Sequence, residues 1–318
     1  MTSEKGKNTA ASIRARLLSL AQSKGDDYQR VLGRYAIERF LYRLGRSPYR
    51  DKFTLKGATL FTLWTGHTHR PTKDLDLLGR GSSAIGQVEQ TIRAICEIQE
   101  KDGLVFDSAS VEGAKIKEDD EYNGVRIKLL AELAGARIPM QIDIGFGDAV
   151  YPEPELASFP VLLQMEAPLI RAYPREASIA EKFQAMILLD IRNSRMKDFY
   201  DIWFIANTWT FDMASLRKAI LASFERRGSA TPTGLPFALT DDFLNDPQKT
   251  QQWSAFVNRL DKGEKAPSLA EVGAVLRAFL LPCISGDSLR KAEILAWTPN
   301  KGWSRTKADA SSDPATTE

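Results

Sequence analysis

Apolar positions in the first fifty residues recur at helical spacing. Ile13, Leu17, Leu20 and Ala21 mark one stripe over 11–23. Val31, Leu32, Tyr35, Ile37, Phe40 and Leu41 mark a second over 28–44. Gly25 predicts a stop between the two. Gly45, with Pro48 behind it, predicts a glycine-terminated end to the second. Residues 1–10 read as a frayed leader. From residue 53 the pattern shifts toward strict alternation, which predicts strands at 53–55, 74–78, 105–106, 125–133 and 139–144. Helices are predicted between them at 58–64 and 85–99. The acidic run 117–121 reads as a hairpin tip ahead of an Asn123-Gly124 turn. Residues 151–174 carry four prolines before Pro174 and read as a connection with some extended chain. Thereafter the pattern is helical: 178–191, opened by a Ser178/Glu181 capping box, then 195–206, 214–225, 253–260 and 269–281, with a loop at 229–236.

Composition narrows the class. The chain has 318 residues, 43% of them apolar and 26% charged, a globular balance that fits one or two packed units. Two cysteines and two histidines exclude a disulfide framework and a four-cysteine zinc site. His67 and His69 read as loop-surface residues, since no further ligand cluster accompanies them. No run reaches the roughly 20 apolar residues of a membrane span. The polar N-terminus lacks the apolar core of an export signal. The expectation is a soluble protein of a reducing, cytoplasmic compartment. Net charge is +2, yet residues 1–50 hold 11 Lys/Arg against 4 Asp/Glu. Such a block suits a polyanionic partner or a solvated helical face.

The chemistry concentrates in three strands and turns. In Asp74-Leu75-Asp76 the two carboxylates are i and i+2 and project from one face of a strand, while Leu75 and Leu77 pack the other way. Two adjacent carboxylates repel unless something positive lies between them, and a hard divalent cation suits that place. Gly57 stands between a strand and a helix, where backbone N–H groups can approach a phosphate. Gln141-Ile142-Asp143-Ile144 is a second alternating strand with one acid among apolar neighbours. A glycine turn, a D-x-D strand and a third acid on a neighbouring strand is the layout of the nucleotidyltransferase β superfamily.

Five blocks resemble the AbiEii/AbiGii (MenT-like) nucleotidyltransferase toxin family more closely. They are Leu55-Lys56-Gly57-Ala58; Arg70-Pro71-Thr72-Lys73-Asp74-Leu75-Asp76-Leu77; Gln141-Ile142-Asp143-Ile144-Gly145-Phe146-Gly147-Asp148; Ala180-Glu181-Lys182; and Arg195-Met196-Lys197-Asp198-Phe199-Tyr200-Asp201. The resemblance spans residues 55–201. It implies an α+β fold: a nucleotidyltransferase core with a short mixed sheet, an N-terminal helical cap and an all-helical C-terminal domain. The divisions would be 1–51, a basic helical region; 52–173, the core; 174–303, the helical domain; and 304–318, a disordered tail.

The resemblance also implies roles. Asp74, Asp76 and Asp143 would hold Mg²⁺ or Mn²⁺. Lys56, Gly57, Ala58, Arg70, Thr72 and Lys182 would meet the nucleotide, and Asp198 would be a further catalytic residue. Lys182 falls in the first turn of its predicted helix, where the dipole disfavours a cation unless an anion is near. The superfamily's usual Gly-Ser is Gly57-Ala58 here, which leaves backbone N–H groups or Thr59 to meet phosphate. The implied activity is transfer of NMP from an NTP to an RNA acceptor, the 3′ end of tRNA, by a toxin with a cognate antitoxin. The alternatives are transfer to a small molecule or protein, phosphotransfer from the same site, and nucleotide binding without catalysis.

Overall fold

The computed structural model describes residues 2–67, 69–70, 72, 74–116, 124–260, 266–285 and 295–305, with side chains from residue 9 onward. The predicted hairpin tip at 117–121 and residues 306–318 of the predicted tail lie outside this set, as do Pro71 and Lys73. Two compact units are formed, one from 1–148 with 153–173 and one from 149–152 with 174–318. Among the described residues no helix is long and apolar enough to cross a membrane.

The first unit contains α1 (Thr2–Lys24), α2 (Tyr28–Arg46), β1 (Phe53–Lys56), α3 (Thr59–Thr65), β2 (Asp74–Gly79), α4 (Ile85–Cys96), β3 (Leu104–Ile116), β4 (Gly124–Leu133), β5 (Ala136–Phe146), β6 (Glu155–Ser158) and β7 (Leu169–Ala172). Its seven strands form one mixed sheet in the order β3-β4-β5-β2-β1-β7-β6. β2 lies inside the sheet, parallel to β5 and antiparallel to β1. That position explains its alternation: Leu75 and Leu77 are fully buried while Asp74 and Asp76 are half-buried on the opposite face. β3 is 13 residues long, where two were expected. Its middle, Asp107 to Ser110, is polar and lacks the apolar signal of a strand. It pairs with β4 as an edge strand across a register shift.

α2 is capped by Asp27, whose carboxylate accepts from the Arg30 N–H. Gly45 does not end it. The helix runs on to Arg46, and a Cβ at residue 45 would come within 2.6 Å of the Leu169 carbonyl. This glycine serves close packing of α2 on β7. The leader expected at 1–10 is helical from Thr2, as part of α1.

Residues 35–44 of α2 are all buried, so some of the N-terminal positive charge points inward. Arg43 makes a two-pronged pair with Asp102, at 2.6 and 3.0 Å, and donates to the carbonyls of Ile98 and Leu104. Arg39 donates to the Glu166 carbonyl and stacks on Tyr42. These two arginines are spent inside the first unit. Arg14, Arg16 and Lys24 of α1 remain exposed. Cys96 and Cys283 are buried free thiols, and burial pushes both up to about 12, which keeps them unreactive.

Glu38 is 1% exposed. Burial raises its carboxyl from 4.5 to about 7, partly offset by the Leu162 N–H bond and by Arg39. The folded chain therefore binds a proton that the unfolded chain has released. Stability should fall as pH rises from about 4.5 to 7 and stay lowered above, by about 3 kcal/mol. Glu38→Gln removes the titration, so urea unfolding of the variant should lose that part of the decline between pH 5 and pH 8. A decline as steep as that of the unaltered protein would refute the assignment.

The second unit contains α5 (Arg175–Leu189), α6 (Met196–Thr208), β8 (Phe211–Asp212), α7 (Met213–Arg226), α8 (Asp241–Leu244), α9 (Pro247–Val257), α10 (Leu269–Ile284), β9 (Leu295–Thr298) and β10 (Gly302–Arg305). The expected all-helical domain thus carries a small sheet, β10-β9-β8. Ser304 and Arg305, assigned to the tail, belong to its edge strand. Phe279 of α10 packs against Phe211, Trp297 and Trp303, which fixes the sheet on the helices. The capping box expected at Ser178 is absent, since α5 starts at Arg175 behind Pro174. A capping box does open α10, from Ser268 and Glu271.

Candidate active site

Strand register brings the acidic positions of the first unit into one row. Lys56 on β1 pairs with Asp76 on β2, Asp76 with Asp143 on β5, and Asp143 with Arg126 on β4. Paired residues share a face of the sheet, so the row reads cation, carboxylate, carboxylate, cation. Asp74 pairs with Gln141, which pairs with Lys128, one step along the same face.

Asp143 is held by Arg126 in a two-pronged pair, Nε to Oδ1 at 2.9 Å and Nη2 to Oδ2 at 2.7 Å. Lys56 donates to Asp148 Oδ2 at 2.6 Å, with both side chains nearly buried, and its ammonium lies 5.6 Å from the centre of the Tyr173 ring. Two residues expected to meet metal and nucleotide are therefore oriented by partners. Sequence reasoning assigned no role to Arg126 or to Asp148. Their one visible signal was charge within or just beyond an alternating strand.

Gly57 has a φ of +72° and lies against Asp76, where a Cβ would overlap the carboxylate. Only glycine fits both demands. Ala58 caps α3, a helix of just seven residues, so its dipole is short. Thr59 is buried and its hydroxyl has no hydrogen-bond partner. Thr72 donates to the Asp74 carbonyl at 3.3 Å, and Arg70 lies half-buried in the same loop. His69 is not a surface residue. It is 6% exposed and stacks on Phe61 with ring centres 4.3 Å apart, because a flat ring can bury its face on another.

Oxygen donors on one strand face suit a hard cation, and the glycine leaves Asp76 room on its β1 side. Asp74 and Asp76 fit that use. Asp143 neighbours them but is engaged by Arg126. Among the described residues no three acidic, histidine or cysteine side chains are gathered tightly enough to chelate one ion.

The second unit holds another charged cluster. Lys182 Nζ lies 2.8 Å from Asp201 Oδ2 and 3.3 Å from Asp198 Oδ1. Arg195 Nε is 2.7 Å from Asp198 Oδ2. Asp198 and Asp201 are 1% and 0% exposed. Because α5 starts at Arg175, Lys182 sits two turns in, and the helix-start argument for an anion partner does not hold. Its ammonium faces two carboxylates.

A family model described as nucleotidyl transferase AbiEii toxin, type IV TA system, matches residues 39–275. Among solved structures, the chain is similar to MenT4, a nucleotidyltransferase toxin from Mycobacterium tuberculosis. The TM-score is 0.57 at 18% identity, covering 87% of this chain and 92% of that one. JHP933 from Helicobacter pylori superposes with a TM-score of 0.44 at 17% identity, covering 75% of this chain and 84% of the other. No curated protein matches the sequence.

Proposed function

We propose a function for a chain that belongs to the nucleotidyl transferase AbiEii toxin family: it transfers NMP from an NTP to an RNA acceptor, the 3′ end of tRNA, with Mg²⁺ or Mn²⁺. Family membership makes it a nucleotidyltransferase toxin of a type IV toxin–antitoxin system, with a cognate antitoxin as partner. The observation that carries the finer reading is the Asp74/Asp76 pair, half-buried on one face of an internal strand, with Gly57 cut back against Asp76. A divalent cation bound there would neutralise triphosphate charge and lower the pKa of an attacking hydroxyl.

The chain's own residues supply the positioning. Arg126 holds Asp143 beside Asp76, and Asp148 holds Lys56 on the other side of it, so the row is pre-oriented before substrate arrives. In the second unit, Lys182 and Arg195 hold Asp198, which we assign as a further catalytic residue. Exposed Arg14, Arg16 and Lys24 support a polyanionic acceptor.

The test is incubation of the purified protein with total RNA and each of the four α-labelled NTPs, with Mg²⁺ or with EDTA. Label should enter RNA from one or more α-labelled NTPs, only with the cation present. Label entering from a γ-labelled NTP in a parallel incubation, and not from the α-labelled one, would instead identify a phosphotransferase. Label in protein or small molecules alone would move the acceptor, and no label anywhere would leave a binding protein.

A further inference from the structure

A buried lysine of the second unit lies outside the charged cluster described above. Lys249 of α9 is 4% exposed, and its ammonium donates to the carbonyls of Ile191 at 2.7 Å and Asn193 at 2.9 Å. Both oxygens belong to the turn at 190–193 that leads from α5 into α6. Asp190 opens that turn with a φ of +46°, a costly conformation for a residue with a side chain. Asn193 is 0% exposed. Its side-chain oxygen accepts from the Arg195 N–H at 2.8 Å, while its side-chain nitrogen is buried without a hydrogen-bond partner. A strained backbone, a desolvated ammonium and an unmade donor each work against stability. What they fix in place is the entry to α6. Arg195 stands at that entry: its guanidinium pairs with Asp198, and its carbonyl accepts from the Asp198 N–H at 2.9 Å. Lys249 reaches α6 by a second route as well. Its ammonium lies 5.1 Å from the centre of the Phe243 ring, and Phe243 stacks on Phe199, the neighbour of Asp198, with ring centres 5.7 Å apart.

We propose that Lys249 and Asn193 are positioning residues for nucleotidyl transfer: the ammonium clamps the 190–193 turn, the Asn193 side chain sets the Arg195 main chain, and Arg195 holds the Asp198 carboxylate at one place and angle. Neither residue needs to touch substrate. A reacting group displaced by about 1 Å can lose about 10²-fold in rate, so a clamp at this distance from the carboxylate has a kinetic consequence. The inference deepens the proposed function and rests on it for the role of Asp198.

The test follows transfer from α-labelled NTPs to total RNA by the full chain, over a range of NTP concentrations, with thermal unfolding of the same preparations. The variants are Lys249→Met, Asn193→Ala, the two combined, and Asp198→Asn. Methionine fills the space of the lysine stem, and Asn193→Ala keeps both carbonyls that Lys249 holds, so it tests the relay where Lys249→Met fails to fold. Each should lower the rate at saturating NTP by about 10²-fold and leave the half-saturating NTP concentration unchanged. The combined variant should be no slower than the slower single one, because both changes release the same turn. A normal rate in the folded variants overturns the proposal, as does a raised half-saturating concentration with the rate unchanged, a multiplied loss in the combined variant, or failure of both single variants to fold. If these occur while Asp198→Asn is impaired, the positioning role falls alone. A normal rate in Asp198→Asn removes Asp198 from the chemistry and this role with it, leaving the Asp74/Asp76 pair untouched. No label transfer by the unaltered protein overturns the transfer reading and this role together.

Discussion

Asp76→Asn is expected to lower nucleotide transfer by about 10²–10³-fold, the usual cost of removing one preorganised electrostatic group from a reacting centre. Asp74→Asn should do the same. Both side chains stand on one face of β2, away from the leucines that pack the strand, so neither change opens a hole in the core. Each keeps the side-chain shape at a position outside the apolar core, and the melting temperature should change little. Asparagine keeps the shape of the carboxylate that Gly57 accommodates. Transfer assays and thermal unfolding on the same preparations decide the matter. Near-normal transfer by both variants would remove the carboxylate pair from the chemistry, and loss of folding would make it structural.

Lys182→Met should destabilise the protein by about 3–5 kcal/mol, because it removes the ammonium that lies 3.3 and 2.8 Å from two buried carboxylates. Asp201 is fully buried, and the Lys182 ammonium lies 2.8 Å from its Oδ2. Asp198 would keep Arg195, whose side chain is 38% exposed and so screens it weakly. Adding Asp201→Asn should recover part of the loss, since the remaining amide needs no cation. Urea unfolding of the two single variants and the double variant measures that coupling. A loss below about 1 kcal/mol for Lys182→Met would show the cluster to be weakly held.

Local periodicity carried most of the elements. Alternation marked β2, β4 and β5, and helical spacing marked α2, α4, α6, α7 and α10, because each buries one face and repeats it in the sequence. The D-x-D pair was legible for the same reason: i and i+2 on a strand share a face whatever surrounds them. β3 was mostly illegible because a polar edge strand lacks that repeat. β6 and β7, four residues each, were hidden among prolines.

The sequence by itself thus determined the α+β class and the placing of Asp74 and Asp76 side by side, while the need for glycine at 57 came from the contact with Asp76. Tertiary structure alone decided who holds whom. Lys56 meets Asp148 across 92 residues, Arg126 meets Asp143 across the β4–β5 hairpin, and Lys182 faces two acids of the next helix. It also buried Glu38, Arg43 and His69, three polar residues that composition would leave outside. The physical reason is range. Strand and helix periods act over a few residues, whereas a charge is oriented and desolvated by whatever the folded chain brings against it.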